Sequence, residues 1–347
     1  MNDLWSYLVE AKRPLVMYGM GNGADKIIDV LDLYGLEISD FFASDGFVRG
    51  QSFHSKRVLS FSEIKEKYED PIILVSFGSP RREVLDTLYE MSGRYEMYSP
   101  DVPLAGETLF NFGFFERSRE KHDRVRDLLA DETSRNIFDN IIKYKLSGRI
   151  DLLRAAVSDP NDTPLRYADF KIAVDAGAYT GDTASALLNM CRSVEKIFCL
   201  EPDIRNFRKL RTFADNYPGK INAIPAGAWD KDEQVAFGSA GNRNSNAFSG
   251  GKEILADMVR IDSVARGYKV DYIKYDVEGA EMKALVGSSE IIKRDLPDLL
   301  ISLYHRSEDI FDIPLYINEN YPEYKLYLRR KECVPAWEMD LIAVADQ

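Results

Sequence analysis

At 347 residues, 45% hydrophobic and 29% charged, the chain has the size and composition of a folded globular protein with room for about two domains. Its 57 acidic residues outnumber 45 basic ones, and the formal net charge of −12 argues against a nucleic-acid backbone as the main partner. No run of about 18 apolar residues is present, so no membrane span is expected. The opening MNDLWSYLVEAKRP lacks an apolar signal core, and Cys191, Cys199 and Cys333 suggest neither a disulfide framework nor a zinc site; the cytoplasm is the expected compartment.

In chain order, residues 14–19 (PLVMYG) predict a short buried strand, followed by the turn Gly19-Met20-Gly21-Asn22-Gly23 and a helix ending near Gly35. Residues 36–45 predict a second strand with Asp45 at its end. SFSEIKEKYED predicts a helix capped by Ser62, residues 71–79 a third strand, and RREVLDTLYEM a third helix. This alternation implies a small parallel α/β sheet, a Rossmann-like domain over residues 1–105. Its G-x-G-x-G turn fits a nucleotide loop and a purely structural turn equally well. Residues 106–165 are charged and helically periodic. Val125, Leu128 and Leu129 fit one apolar stripe and Ile137, Phe138, Ile141 and Ile142 another, which predicts two helices linking or roofing the flanking domains.

The alternation of strand and helix restarts at Lys171, in a second domain of residues 166–347. KIAVDAGAYTGDT (171–183) reads as a buried strand with Asp175 near its end, a loop from Gly177 through Tyr179 to Gly181, and a helix start at Asp182 and Thr183. Glycines let backbone approach a ligand and a helix start offers free N–H groups, so this is a nucleotide-type pocket. It lacks the Lys-Ser/Thr of a P-loop. KIFCLEPD (196–203) is a second strand ending in Glu201, about 20 residues beyond the glycine loop, where dinucleotide folds place an acid on a ribose. Further strands are expected at 221–224, 271–276 and 298–303. YKLYLRR (324–330) and DLIAVA (340–345) have no helix-length segment between them and predict an antiparallel hairpin. Five parallel strands closed by a hairpin match the seven-stranded Rossmann-like sheet of class I methyltransferases, with an antiparallel last strand.

Four blocks in order, VDAGAYTGDT (174–183), FCLEPD (198–203), IPAGAWD (224–230) and IKYDVEGAEMKALVG (273–287), resemble the FkbM family of S-adenosylmethionine-dependent methyltransferases. The resemblance covers about residues 120–345. It implies that S-adenosyl-L-methionine is the cofactor. Asp175 would then lie near its ammonium group, the Gly177–Gly181 backbone under its methionine moiety, Glu201 on its ribose hydroxyls, and Ala228 and Trp229 beside its adenine. Trp229 fits the apolar core equally well.

Methyl transfer from a sulfonium needs a nucleophile held in line and relieved of its proton. Asp276, at the end of the fourth strand, and His305, after the fifth, are the candidate catalytic residues. Alternation puts Lys274 on the side of Asp276. Glu278 and Glu281 open the next helix, where acids also suit the helix dipole. With Asp276 they raise a divalent metal without defining its ligand set. The Gly/Ser/Asn-rich segment 238–251 fits a surface loop or a lid presenting Asn244, Ser245 and Asn246 to a hydroxyl-rich acceptor. The expected activity is O-methylation of a sugar or other small metabolite. One alternative is a nucleotide-sugar-modifying protein whose first domain binds the acceptor nucleotide, as VMYGMGNGADKIIDVL resembles the start of some bacterial sugar acyltransferases. Another is a non-catalytic cofactor-binding module.

Overall fold

The computed structural model describes residues 3–238 and 253–345. The first sheet is parallel, with strands β1 (Leu15–Tyr18), β2 (Ile38–Ala43), β3 (Leu59–Ser60), β4 (Ile72–Val75) and β5 (Met97–Tyr98) in the order β3-β2-β1-β4-β5. Central strands β1 and β4 are buried at every residue, as the unbroken apolar runs LVMY and IILV require of a sheet covered on both faces. The two-residue edge strands leave no periodic pattern and escape sequence reasoning. Two details differ from expectation. The second strand ends at Ala43, and Asp45 opens an exposed single turn, Asp45–Phe47. Helix Phe61–Lys67 is capped by Ser60, not Ser62: Ser60 Oγ accepts from Glu63 N–H while the Glu63 carboxylate accepts from Ser60 N–H, a reciprocal capping box.

Residues 106–165 hold four helices where two were expected: Phe112–Arg117, Arg119–Leu128, Glu132–Ser147 and Ile150–Ala155. The long one begins at Asp131, whose carboxylate accepts from Ser134 N–H, and ends at Gly148 with φ +65°. Its stripe of Ile137, Phe138, Ile141 and Ile142 is buried. Ser134 Oγ accepts from the N–H of Leu328, which ties the helix to the second sheet.

That sheet contains β6 (Ile172–Ala176), β7 (Lys196–Leu200) and β8 (Ile221–Ile224). A small sheet follows, of β9 (Ala226–Ala228), β10 (Glu233–Gly238) and β11 (Glu253–Val259). The main sheet then resumes with β12 (Tyr272–Tyr275), β13 (Asp298–Ser302), β14 (Tyr324–Arg330) and β15 (Met339–Ala345). Its order is β8-β7-β6-β12-β13-β15-β14, with β15 antiparallel to both neighbours and the remaining neighbours parallel. This is the expected seven-stranded sheet. The chain winds outward from β6 to β8 and returns to β12 on the other side of β6, which creates a crevice at the carboxyl ends of the two central strands. The small sheet was not foreseen, and Asn244, Ser245 and Asn246 lie outside the described residues. Among the described residues no helix is long and apolar enough to cross a membrane.

The core does not break near residue 105. Val16, Tyr18 and Ile73 of the first sheet, Phe138 and Ile141 of the long helix, and Val174 and Ile273 of the second sheet belong to one buried cluster. Two segments of the first unit also touch the crevice. Ser79 pairs with Val334, and the ring of Trp337 fills the space a side chain at Gly78 would need. The N–H groups of Leu104 and Ala105 donate to the carbonyl of His305.

Candidate active site

The crevice holds a cavity of about 590 Å³. One group of its lining residues comes from the loops after β6, β7 and β9. Gly177 has φ +88°, and a Cβ there would stand 1.8 Å from the carbonyl oxygen of Asp276. Only glycine lets the loop after β6 lie against the end of β12. Tyr179 follows at φ +48°, and its N–H donates to Glu201 Oε2 at 2.9 Å. The other oxygen of Glu201 accepts from Asp203 N–H at 2.9 Å, and Asp203 in turn caps helix Ile204–Ala214. Burial pushes the Glu201 carboxyl up to about 7, against the pull of the two backbone donors. Gly181, at φ +95°, packs against the Phe213 ring and starts helix Asp182–Met190, whose first turn brings Thr183 to the cavity.

Ala228 and Trp229 also line the cavity and are both nearly fully buried. The Trp229 indole N–H donates to Glu233 Oε1 at 3.1 Å, and Lys283 Nζ sits 3.9 Å from the ring centroid. Trp229 is thus a buried core residue that also lines the cavity. Asp175 falls elsewhere than expected. It is 2% exposed and absent from the cavity lining, and its Oδ1 lies 3.5 Å from Lys274 Nζ. It sits beneath the wall because strand alternation turns its side chain toward the ammonium of the neighbouring strand.

A second group surrounds the end of β12. Lys274, on the predicted side, places Nζ 3.2 Å from Asp276 Oδ2. Burial disfavours the ammonium, yet Asp276 and Asp175 more than offset it and raise the Lys274 pKa. Asp276 Oδ1 accepts from the Tyr304 hydroxyl at 3.2 Å. Burial pushes the Asp276 carboxyl up, but Lys274, His305 and Tyr304 outweigh it and hold the group below the usual carboxylate range. His305 is 1% exposed. Its Nε2 stands 3.7 Å from Asp276 Oδ1 and 3.5 Å from Glu278 Oε2, and its Nδ1 2.9 Å from Glu281 Oε1. Burial opposes the charged ring, but the surrounding carboxylates prevail and push it up to about 10. Glu281 is fully buried and accepts from Val277 N–H and Gly279 N–H, so its position at the helix start is a turn-closing one. Glu278 has φ +54°, and burial pushes its carboxyl up to about 7.

The structure therefore brings Gly177, Tyr179, Thr183, Glu201, Ala228, Trp229, Asp276 and His305 to one cavity, with Gly181 shaping its loop. Sequence reasoning missed Tyr304, which precedes His305, and the wall residues Gly78, Pro80, Lys331 and Trp337. Tyr304 was within reach of the same argument that singled out His305. The wall residues come from connections with no local pattern.

A seven-stranded sheet in this order, with a ligand-sized cavity at its switch point, defines a protein of the class I methyltransferase fold. Residues 175–330 match the methyltransferase FkbM domain. No curated protein matches the chain significantly. Among solved structures, an FkbM methyltransferase from Methylobacillus flagellatus is similar over 99% of this chain and 94% of its own, with a TM-score of 0.75 and 21% identity. That likeness shows that the fold extends across both sheets. An rRNA methylase from Streptococcus thermophilus matches 52% of this chain and 89% of its own at 14% identity, with a TM-score of 0.35.

Replacing Gly177 with alanine should displace the loop after β6 or the end of β12, because the new Cβ meets backbone and the φ is positive. Backbone strain of this kind costs about 1–3 kcal/mol. Chemical denaturation of the variant should show a loss of at least that order; wild-type stability would contradict the described contact.

Proposed function

We propose that the chain is an S-adenosylmethionine-dependent methyltransferase that methylates a hydroxyl of a small polar acceptor, a sugar or related metabolite. The observation that carries this reading is the meeting of two features in one cavity: the glycine loop with Glu201, and the carboxylate of Asp276 at the adjacent strand end. The donor set fits the cofactor. Gly177 has no room for a side chain, so the loop offers bare backbone, and each oxygen of Glu201 keeps a lone pair for a ribose hydroxyl. Thr183 and the helix start lie beside the loop, and Ala228 with Trp229 supplies an apolar wall for a flat base. When bound, the cofactor supplies a methyl group on a positively charged sulfur.

Asp276 presents the acceptor side of the reaction. Lys274 holds one of its oxygens and Tyr304 the other, so the carboxylate has a fixed direction. A fixed anion at this point orients an acceptor hydroxyl and takes its proton. His305, reaching the cavity behind Asp276 and Glu278, is a positioning residue in this scheme. The nucleotide-sugar alternative would use Gly21 and Asp45, and neither lines the cavity, whereas Gly78, Pro80 and Leu104 of the first unit do. The first unit therefore contributes to the acceptor wall through these other residues. A cytoplasmic location remains part of the proposal, supported by three cysteines that are free thiols.

Asp276→Asn keeps the shape and removes the charge. Turnover should fall about 10²–10⁴-fold, the range of general-base effects, with cofactor affinity nearly unchanged. A parallel fall in both would make Asp276 a cofactor or structural residue. Cofactor affinity should also depend on pH. Glu201, raised to about 7, passes from mostly protonated to mostly ionised between pH 6 and 8, and only the ionised form accepts from both ribose hydroxyls without losing a lone pair to its own proton. Affinity measured by calorimetry should rise roughly tenfold over that interval. A flat profile, or tighter binding at the acidic end, would remove Glu201 from the ribose contact.

A further inference from the structure

The end of β12 gathers carboxylates closely around few cations. Four carboxylates, Asp175, Asp276, Glu278 and Glu281, share the ammonium of Lys274 and the ring of His305. The burial is deep: Glu281 is 0% and His305 1% exposed. The pairing is also incomplete. Neither ring nitrogen of His305 has a partner in hydrogen-bond geometry, although Nδ1 lies 2.9 Å from Glu281 Oε1, and Glu281 Oε2 has none either. Buried polar atoms are nearly always satisfied, so unpartnered ones gathered in one group need a physical reason.

Asp276, Glu281 and His305 each offer one ligand atom, and these atoms lie within 4.8 Å of one another. Glu278 Oε2, 3.5 Å from His305 Nε2, stands beside them. Atoms bound to a single cation at about 2.1 Å stand roughly 3–3.5 Å apart. Asp276 is the one partly exposed member of the group, and its side chain is the one with room to close the spacing. Lys274 engages Asp276 Oδ2, while Oδ1 accepts from the Tyr304 hydroxyl and keeps a second lone pair on the side of the histidine. We infer that Asp276, Glu281 and His305 bind a divalent cation at the acceptor end of the cavity.

Two hard oxygens and one imidazole suit a first-row ion such as Mn²⁺. The cation takes the place of the imidazolium proton beside these carboxylates. Asp276 and His305 line the cavity, so the ion's remaining positions are open to a ligand there. The ligand class this selects is a vicinal diol, two adjacent hydroxyls chelating one ion, with the bound hydroxyl made more acidic by the metal. In that case Asp276 acts through the metal instead of touching the hydroxyl proton itself. The diol rests on the methyltransferase reading; the cation does not, because its binding needs neither methyl donor nor acceptor.

The test is a titration of the full chain with MnCl₂ alone, followed by electron paramagnetic resonance of the free ion and by calorimetry. About one Mn²⁺ should bind per chain. Asp276→Asn and His305→Gln should each weaken it roughly tenfold or more, since even partners one shell further out are worth that much. Asp276 is on the cavity surface, so its variant keeps the test valid if the buried histidine variant fails to fold, with circular dichroism as the check. No binding to the wild type at millimolar Mn²⁺, or unchanged binding in a folded Asp276→Asn, would overturn the site. S-adenosylmethionine titrated separately, without metal, reports on the proposed function independently.

Discussion

Lys274 holds the centre of the second sheet together where it opens to the cavity. Its ammonium is buried between Asp175 of β6 and Asp276 at the end of β12, two strands that are neighbours in the sheet. Removing such a cation would leave the buried Asp175 carboxylate unpaired and facing the partly exposed Asp276, and breaking a buried pair costs about 3–5 kcal/mol. The pairing also has a directional consequence. It occupies Asp276 Oδ2 and turns Oδ1 toward Tyr304 and His305. The loop after β6 can lie against this strand end because Gly177 has no Cβ. The ion pair and the missing side chain together fix the distance between the glycine loop and the Asp276 carboxylate.

The rest of the chain frames that edge. Helix Glu132–Ser147 buries its apolar stripe and is tied to β14 through Ser134. Arg330, at the end of β14, is fully buried and donates to the carbonyls of Leu153, Cys333 and Pro335. These bonds shape the connection carrying Lys331 and Trp337 to the cavity wall. Trp337 in turn packs where Gly78 leaves room, which brings the first sheet's loops to the same wall. The first unit is therefore part of the site's construction, and the single buried cluster running through both sheets gives the energetic reason.

Much of this was legible in the sequence because buried parallel strands are continuous apolar runs. IAVDA, KIFCL, YIKY and DLLIS all fall within a residue or two of their expected limits. The glycine loop, Glu201, Lys274 and Asp276 were legible for the same reason, since each is pinned to a strand end. The errors share a cause as well. Asp175 was one position short of the loop, and burial there depends on the neighbouring strand's lysine, a non-local fact. Ser60 lost to Ser62 although the S-x-x-E spacing of a capping box was present. The extra helices, the small sheet and the wall from Gly78 and Trp337 depend on tertiary contacts that no local periodicity records.

The central claim is that this cavity is built for a sulfonium methyl donor and not for a dinucleotide, although both folds place an acid on a ribose. Calorimetric titration of the full-length protein with S-adenosylmethionine and, separately, with NAD tests it most directly. The account predicts saturable one-to-one binding of S-adenosylmethionine and no detectable heat from NAD. Saturable binding of NAD with none of S-adenosylmethionine would contradict it.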